Sequence, residues 1–266
     1  MRHTIWKSGV TLALTLALAG SLGTSLACAA ETPQQAPPAD PAQQAVQRAV
    51  SLMFDKKEPE KGIAAIEPQL AAFSKLADAA RAKGDGKGSA FCAMSEPEWK
   101  LYDDMATREG KLPTILPGYV CQAYFFTAYA QTELGRKTDA LVTLEALHAL
   151  APYNPQFLVE LGYAQRESGD VTAARASYQA AIDASHWLEG GTAEDRQGVT
   201  HARAAAWRGL GYILIDQGDL DGAEKAYRES QVDEPDNAIT RNELTVIAER
   251  RTAASAPAAT GVSAGS

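Results

Sequence analysis

The sequence is poor in the residues that build metal and phosphate sites. It has three cysteines and four histidines in 266 residues. The histidines form no His-Glu-x-x-His pattern, the cysteines form no short-spaced pair, and no phosphate-binding glycine loop is present. We therefore expect no metal and no cofactor, and these absences argue against a metalloenzyme or a nucleotide-binding protein.

Positive charge and long apolar runs are also scarce. The chain has 25 Lys and Arg against 33 Asp and Glu, a formal net charge of −8, and no basic stripe. This balance excludes nucleic acid as the main partner. No uninterrupted apolar run follows residue 30, so we expect no transmembrane span in the mature chain.

Residues 1–30 have the three parts of a secretion signal. Arg2 and Lys7 precede an apolar run from Val10 to Leu22, and small residues follow. The run is short for a membrane anchor, so we predict a cleaved signal peptide and a periplasmic or otherwise exported protein. Lipidation of Cys28 is the alternative, although residues 25–27 fit the usual Leu-small-small pattern poorly. Only a lipidated Cys28 would bring membrane contact.

Export simplifies the cysteine chemistry. Cys28 leaves with the signal or carries a lipid, so the folded part keeps Cys92 and Cys121. An even pair in an oxidising compartment predicts one disulfide bond. The alternative makes Cys92 a nucleophile with a distant base such as His201, but nothing local supplies an activated thiolate.

The segment after the signal divides into a linker and a helical extension. Residues 31–40 are rich in Pro, Ala and Gln and predict a flexible linker. Residues 41–117 form the predicted N-terminal helical extension. Its first helix opens at Asp40-Pro41, its second runs from Pro59 to Ala82, and its third is capped by Ser95 and Glu98.

Within this extension we predict breaks at three places. Pro68 should interrupt the second helix, because proline lacks the N–H that an interior helical turn needs. The glycine-rich residues 83–88 predict a loop, and residues 111–117 predict a connector to the next part of the chain.

The middle of the chain repeats itself. Small residues recur after 34 positions and again after 49, which is 34 plus a 15-residue insertion. The three sets are Ala128, Gly135 and Ala140; Gly162, Gly169 and Ala174; and Gly211, Gly218 and Ala223. Such a period indicates stacked helical units. The residues resemble the tetratricopeptide (TPR) repeat family, most closely in the third copy, with Trp207, Leu210, Gly211, Gly218, Ala223, Tyr227 and Pro235.

The resemblance predicts an all-α fold, a right-handed superhelical solenoid of helix–turn–helix repeats. We place the units at 121–154, 155–188 and 204–237, with an insert at 189–203. A capping helix at 238–251 and a disordered tail at 252–266 complete the chain. Thr192 and Asp195 predict a capping box that extends the third unit backwards, and Trp187 is expected to plug this junction.

The resemblance also implies which residues line the concave groove. These are Phe125, Tyr129 and Glu133; Val159, Tyr163 and Glu167; and Arg208, Tyr212 and Asp216. Tyrosine recurs at one register and an acid four residues later. Two interpretations stay open for these tyrosines. They bind a ligand, or they pack between units. In the second case they compensate for a tyrosine that the family usually has elsewhere on the first helix, where this chain has Gln131, Gln165 and Leu214.

These features predict an exported, non-catalytic bacterial TPR scaffold that binds a protein or peptide partner in its groove. The tyrosines and acids would suit an extended or helical peptide with basic groups. One alternative is an enzyme whose site lies between the N-terminal helices and the solenoid, around Cys92, Trp99 and Asp103. Another is an outer-membrane lipoprotein that uses the repeats as an assembly platform.

Overall fold

The computed structural model describes residues 40–188 and 190–255, which contain eleven helices and two short strands. The helices are α1 Pro41–Phe54, α2 Pro59–Arg81, α3 Lys83–Gly86, α4 Glu96–Arg108, α5 Gly118–Glu133, α6 Lys137–His148, α7 Pro155–Ser168, α8 Val171–Trp187, α9 Ala193–Asp216, α10 Leu220–Asp233 and α11 Ala238–Ser255. The strands are β1 Gly88–Cys92 and β2 Leu112–Leu116. The predicted all-α solenoid is confirmed. The signal peptide, Cys28, the linker up to residue 39 and residues 256–266 lie outside the described residues.

The core of the solenoid lies between helices that pack in sequence. Helix α5 packs on α6, α7 on α8, and α9 on α10. The second helix of each pair also packs on the first helix of the next, so α6 contacts α7, α8 contacts α9 and α10 contacts α11. One amphipathic pair cannot bury its own apolar face, so this stacking supplies the hydrophobic core.

The small residues of the repeat make room for buried tyrosine rings. A methyl group on Gly162 would lie 2.9 Å from the ring of Tyr178, and one on Gly211 would lie 2.7 Å from the ring of Tyr227. The Tyr178 ring also approaches Gly209 of α9, where an added methyl group would lie at 2.4 Å. These close contacts explain why small residues recur on the first helices of the second and third pairs.

In the second and third pairs, a glycine ends the first helix and the aspartate after it caps the second. Gly169 and Gly218 have φ angles of 93° and 80°, a left-handed conformation that ends a helix at little cost for glycine. Asp170 and Asp219 then cap the next helices by accepting hydrogen bonds of 2.9 Å from the backbone N–H groups of Ala173 and Gly222.

The N-terminal extension begins with a helix pair that stacks like the repeats. Helix α1 packs on α2, and both contact α5. Asp40 caps α1 as predicted, accepting from the N–H of Ala42 at 2.8 Å. The predicted interruption at Pro68 is wrong, because α2 continues through this exposed position. A proline inside a helix removes only its own backbone donor, and the packing of α2 on both neighbours maintains the remaining turns.

An inserted segment between α2 and α5 carries the two strands. Strands β1 and β2 pair in parallel, from Gly88 with Leu112 to Cys92 with Leu116, and α4 lies between them in the sequence. The predicted connector at 111–117 is therefore wrong over β2. The Cys92 N–H donates a 2.8 Å hydrogen bond to the Leu150 carbonyl, and Cys92 is joined to Cys121 of α5 by a disulfide bond. These bonds attach the insertion to the first repeat pair.

The second insertion lengthens α9 as predicted. Thr192 and Asp195 form the capping box, each accepting from the other's backbone N–H. Trp187 is 57% exposed and meets the Tyr153 ring edge-on at 5.4 Å. The prediction that Trp187 fills the junction between the second and third units is therefore wrong. Leu188 is the buried residue at this point. Between residues 40 and 255, Glu189 aside, no helix has the length and apolarity needed to cross a membrane.

Candidate functional site

The three groove tyrosines lie on the first helices of consecutive pairs. Tyr129 is on α5, Tyr163 on α7 and Tyr212 on α9, and all three are half-buried. Helices α7 and α9 pack directly against each other, which brings the second and third tyrosines to one surface. This line of rings is called the tyrosine ladder below.

Arg166 occupies the space between the second and third rings of the ladder. Its guanidinium carbon lies 4.1 Å from the ring centroid of Tyr212 and 5.4 Å from that of Tyr163. The side chain is 13% exposed, and Nη2 donates to Glu167 at 3.2 Å. A guanidinium over an aromatic face is a cation–π contact. It favours the packing interpretation for these two tyrosines. The three repeats carry Thr132, Arg166 and Ile215 at this register, so the sequence pattern gave no sign of the contact.

The first ring of the ladder belongs to an aromatic cluster. Tyr129 meets the Phe54 ring of α1 edge-on at 5.3 Å, and Phe54 meets Phe126 at 5.5 Å. Phe125 lies 5.2 Å from Phe157 of α7, and Val159 is half-buried in the next core cluster. This end of the ladder therefore combines side chains of α1, α5 and α7. The contribution of α1 was not predicted from the sequence, because α1 lacks the residues of the repeat pattern.

The predicted acids differ in how far their charges are compensated. Glu167 accepts from Lys137 Nζ at 2.8 Å as well as from Arg166. Glu133 and Asp216 are exposed, and the described part of the chain gives neither an ion-pair partner. Uncompensated negative charge therefore lies at the two ends of the ladder. Arg208 binds the Glu234 carboxylate at 2.5 Å and is largely buried, so its positive charge is compensated within the protein.

A second acid of α7, which sequence reasoning missed, lies beneath the ladder. Glu160 is 9% exposed, and Nε2 of Gln156 donates to it at 2.9 Å. Burial raises the pKa of this carboxyl to about 8. The equivalent residues in the other repeats are Phe126 and Gly209. The sequence signal that could have identified this residue is a glutamate at a repeat position where the other two copies have Phe and Gly.

A separate charged cluster joins α9 to the end of α10. Glu234 accepts from Arg208, from the ring of His201, and from Asn237 at 2.7 Å. Burial opposes ionisation, but the His201 hydrogen bond and the nearby charges of Arg208 and His201 lower the pKa of Glu234 to about 2. Arg203 also binds Asp233 through two nitrogens. This cluster attaches the middle of α9 to the end of α10.

The residues of the alternative catalytic site are not arranged as a nucleophile and a base. Cys92 is fully buried and its sulfur is bonded to Cys121. Trp99 is 49% exposed and lines a shallow groove of about 450 Å³ with Met94 and Ile115, and Asp103 is not part of that lining. Within the described residues, no group of three or more His, Cys, Asp or Glu side chains is placed to hold a metal ion.

The comparison with protein families agrees with the helix pairing. The model of the tetratricopeptide repeat family matches residues 127–186 and 191–238, which supports a TPR-repeat protein. No curated protein matches the sequence significantly. Among solved structures, the chain is similar to the crystal structure of BtubC (BKLC) from P. vanneervenii, with 15% sequence identity and a TM-score of 0.44. That match covers 79% of this chain and 82% of the other.

Proposed function

We propose that the protein is an exported, non-catalytic scaffold that binds a protein or peptide partner along the tyrosine ladder. The observation that carries this proposal is the recurrence of a half-buried tyrosine on three consecutive first helices, α5, α7 and α9. TPR repeats generally serve protein interactions, and the match to the family model includes α7, α9 and the last part of α5 from residue 127. Half-buried tyrosines offer a partner both an apolar ring and a hydroxyl.

The charges along the ladder suggest the chemistry of the partner. Glu133 and Asp216 leave negative charge at the two ends, whereas Arg166 and Lys137 compensate Glu167 in the middle. A segment with basic groups near its two ends would fit this distribution. The centre of such a segment would meet the Arg166 guanidinium and should be neutral or acidic.

Site-specific photo-crosslinking tests this proposal. A photoreactive amino acid would replace Glu133 or Asp216 at the ladder, and the exposed Glu145 of α6 as the matched control. The repeat resemblance places second helices such as α6 on the outer face. We expect a defined crosslinked product in envelope extract from the ladder positions and none from Glu145. Equal crosslinking at all three positions would contradict binding along the ladder.

Export is tested by the mass of the native chain. Cleavage of the signal peptide would give a protein that starts at Ala30 or Glu31, recovered from the periplasmic fraction. A lipid on Cys28 would appear as added mass on an N-terminal cysteine and would place the scaffold on a membrane. An intact N-terminus in the cytoplasmic fraction would contradict export.

A further inference from the structure

The carboxyl of Glu160 is buried without a described cationic partner. Its side-chain hydrogen bond is the one from Gln156, and no Lys, Arg or His of residues 40–188 and 190–255 forms an ion pair with it. Burial alone raises the pKa of this group to about 8. Removing a carboxyl from water without pairing its charge destabilises a fold, so this residue needs an explanation.

The repeat architecture does not require an acid at this register. The same position is Phe126 in the preceding repeat and Gly209 in the following one. Both neighbouring units therefore build the first-helix interface with an apolar or small residue. A buried polar residue that breaks a local rule without stabilising the fold is typical of a functional site.

The Glu160 carboxyl lies near the hydroxyls of three tyrosines, of which Tyr163 is about one helical turn away on α7. Burial raises the pKa values of the Tyr129, Tyr163 and Tyr178 hydroxyls, and the nearby Glu160 raises them further. Two of these tyrosines belong to the tyrosine ladder, so the buried carboxyl lies close to the proposed binding surface. Gln156, one helical turn earlier, covers it from the half-buried side of α7.

We propose that Glu160, Gln156 and the rings of Tyr129 and Tyr163 form a site for a lysine side chain of the partner. This inference rests on the proposed function and identifies one of its contacts. The ammonium group would take the place of the Gln156 amide nitrogen beside the carboxylate, with the Gln156 carbonyl oxygen as a second acceptor. The lysine methylenes would lie against the rings, whose faces also attract the cation.

Occupation of this site is coupled to a proton. At pH 7 the empty site holds Glu160 mainly in its neutral form, because its carboxyl ionises only near pH 8. The three tyrosines that face it are also neutral, since their pKa values are raised above the ordinary value of 10. An incoming ammonium favours the carboxylate, so binding should release a proton from Glu160.

Calorimetry with small probes tests the site independently of the natural partner. The purified chain would be titrated with Nα-acetyl-lysinamide and with Nα-acetyl-norleucinamide, which lacks the ammonium group. We expect saturable binding of the lysine probe, at least about tenfold weaker binding of the norleucine probe, and proton release that shows as a buffer-dependent heat. Absence of lysine binding, or equal binding of both probes, would overturn the proposal.

Substitutions assign the binding to Glu160. Glu160→Gln keeps the shape and removes the charge, so it should abolish the lysine preference without lowering the melting temperature. Gln156→Met leaves the acid in place and should weaken lysine binding severalfold, which keeps the test valid if the first variant unfolds. Glu145→Gln, on an exposed acid of α6 outside the ladder, is the control and should bind the lysine probe like the unmodified chain.

The outcome is distinguishable from failure of the proposed function. If crosslinking from the ladder positions succeeds and both probes fail to bind, the scaffold proposal stands and the lysine site is wrong. If the Glu160→Gln chain binds the lysine probe as tightly as the unmodified chain does, the site lies elsewhere and the assignment to Glu160 is refuted.

Discussion

Arg166 of α7 lies over the ring of Tyr212 of α9, with 4.1 Å between the guanidinium carbon and the ring centroid. The contact connects the second and third repeat pairs through a cation and an aromatic face. Its position in the tyrosine ladder means that one stacking surface of Tyr212 is already occupied by the protein's own side chain. A cation–π contact that is largely removed from water stabilises a protein by roughly 0.5–2 kcal/mol.

A double-mutant cycle on this pair measures the contact. Arg166→Met keeps the aliphatic bulk and removes the cation, and Tyr212→Leu removes the aromatic face. We expect a coupling free energy of about 1 kcal/mol in urea denaturation of the two single variants and the double variant. As the control, the exposed Arg228→Met should show no coupling with Tyr212→Leu. A coupling near zero for the first pair would mean that the two groups do not interact in solution.

Replacing the ladder tyrosines separates packing from partner binding. Because Tyr163 and Tyr212 are half-buried around Arg166, Tyr212→Ala should lower the free energy of unfolding by about 2 kcal/mol. Tyr212→Phe keeps the ring and should be nearly neutral. Partner capture is then compared at a temperature where every variant is folded. Capture by the folded Tyr163→Ala and Tyr212→Ala chains equal to that of the unmodified chain would show that the rings only pack.

The buried Glu160 makes stability depend on pH in the neutral range. Its pKa is about 8 in the folded chain and ordinary, near 4.5, in the unfolded chain. The folded state therefore binds more protons between these values, and stability falls as the pH rises from about 4.5 to 8. Glu160→Gln should remove this slope and raise the unfolding free energy at pH 7 by roughly 3 kcal/mol. Urea titrations at pH 5, 7 and 8 measure it. An unchanged slope in the variant would contradict the assignment.

Glu234 has the opposite pH dependence. Its pKa of about 2 lies below the ordinary value of 4.5, so its contribution is present above pH 4.5 and is lost as the pH falls toward 2. Glu234→Gln should cost roughly 1–2 kcal/mol at pH 7 and little at pH 2.5, since the group is still partly solvated. Circular dichroism melts at both pH values measure the difference, with Glu229→Gln as a control outside the cluster. An equal loss at both pH values would indicate that charge is not the cause.

The disulfide bond predicts a redox-dependent stability. Cys92 and Cys121 are separated by 29 positions in sequence, and closing a loop of that size stabilises a fold by about 3 kcal/mol in the chain-entropy model. The paired variant Cys92→Ala, Cys121→Ala should lose stability by a comparable amount. Thiol titration of the unfolded mature chain should find no free thiol before reduction and two after it. A free thiol on Cys92 in the native protein would reopen the catalytic alternative.

The repeat part of the fold was predictable because its signals are local and recur. Gly162 and Gly211 mark where a tyrosine ring must fit, and the Thr192–Asp195 box marks a helix start within four residues. The parallel pairing of β1 with β2 was not predictable, because each strand has five residues and its partner is 24 positions away. The repeat-like stacking of α1 and α2 was missed for a related reason, since contacts between distant segments leave no mark in a local pattern.

The site was predictable only in outline. The register of Tyr129, Tyr163 and Tyr212 follows from the period, but whether a face is open depends on neighbours that do not repeat. Arg166 and Glu160 each occur in one repeat alone, so averaging over copies hides them. Fold repeats reveal the shared scaffold, whereas specificity depends on the positions where the copies differ.

The single ring of Tyr178 has a consequence for the energetics of recognition. It is enclosed by Gly162 of α7 and Gly209 of α9, so neither helix can move toward the other without colliding with the ring. The separation of Tyr163 and Tyr212 is thereby set before a partner arrives. A partner that fits this fixed separation loses little free energy to ordering the receptor. A partner that requires a larger or smaller separation of the two tyrosines binds poorly, because the Tyr178 ring prevents the helices from adjusting.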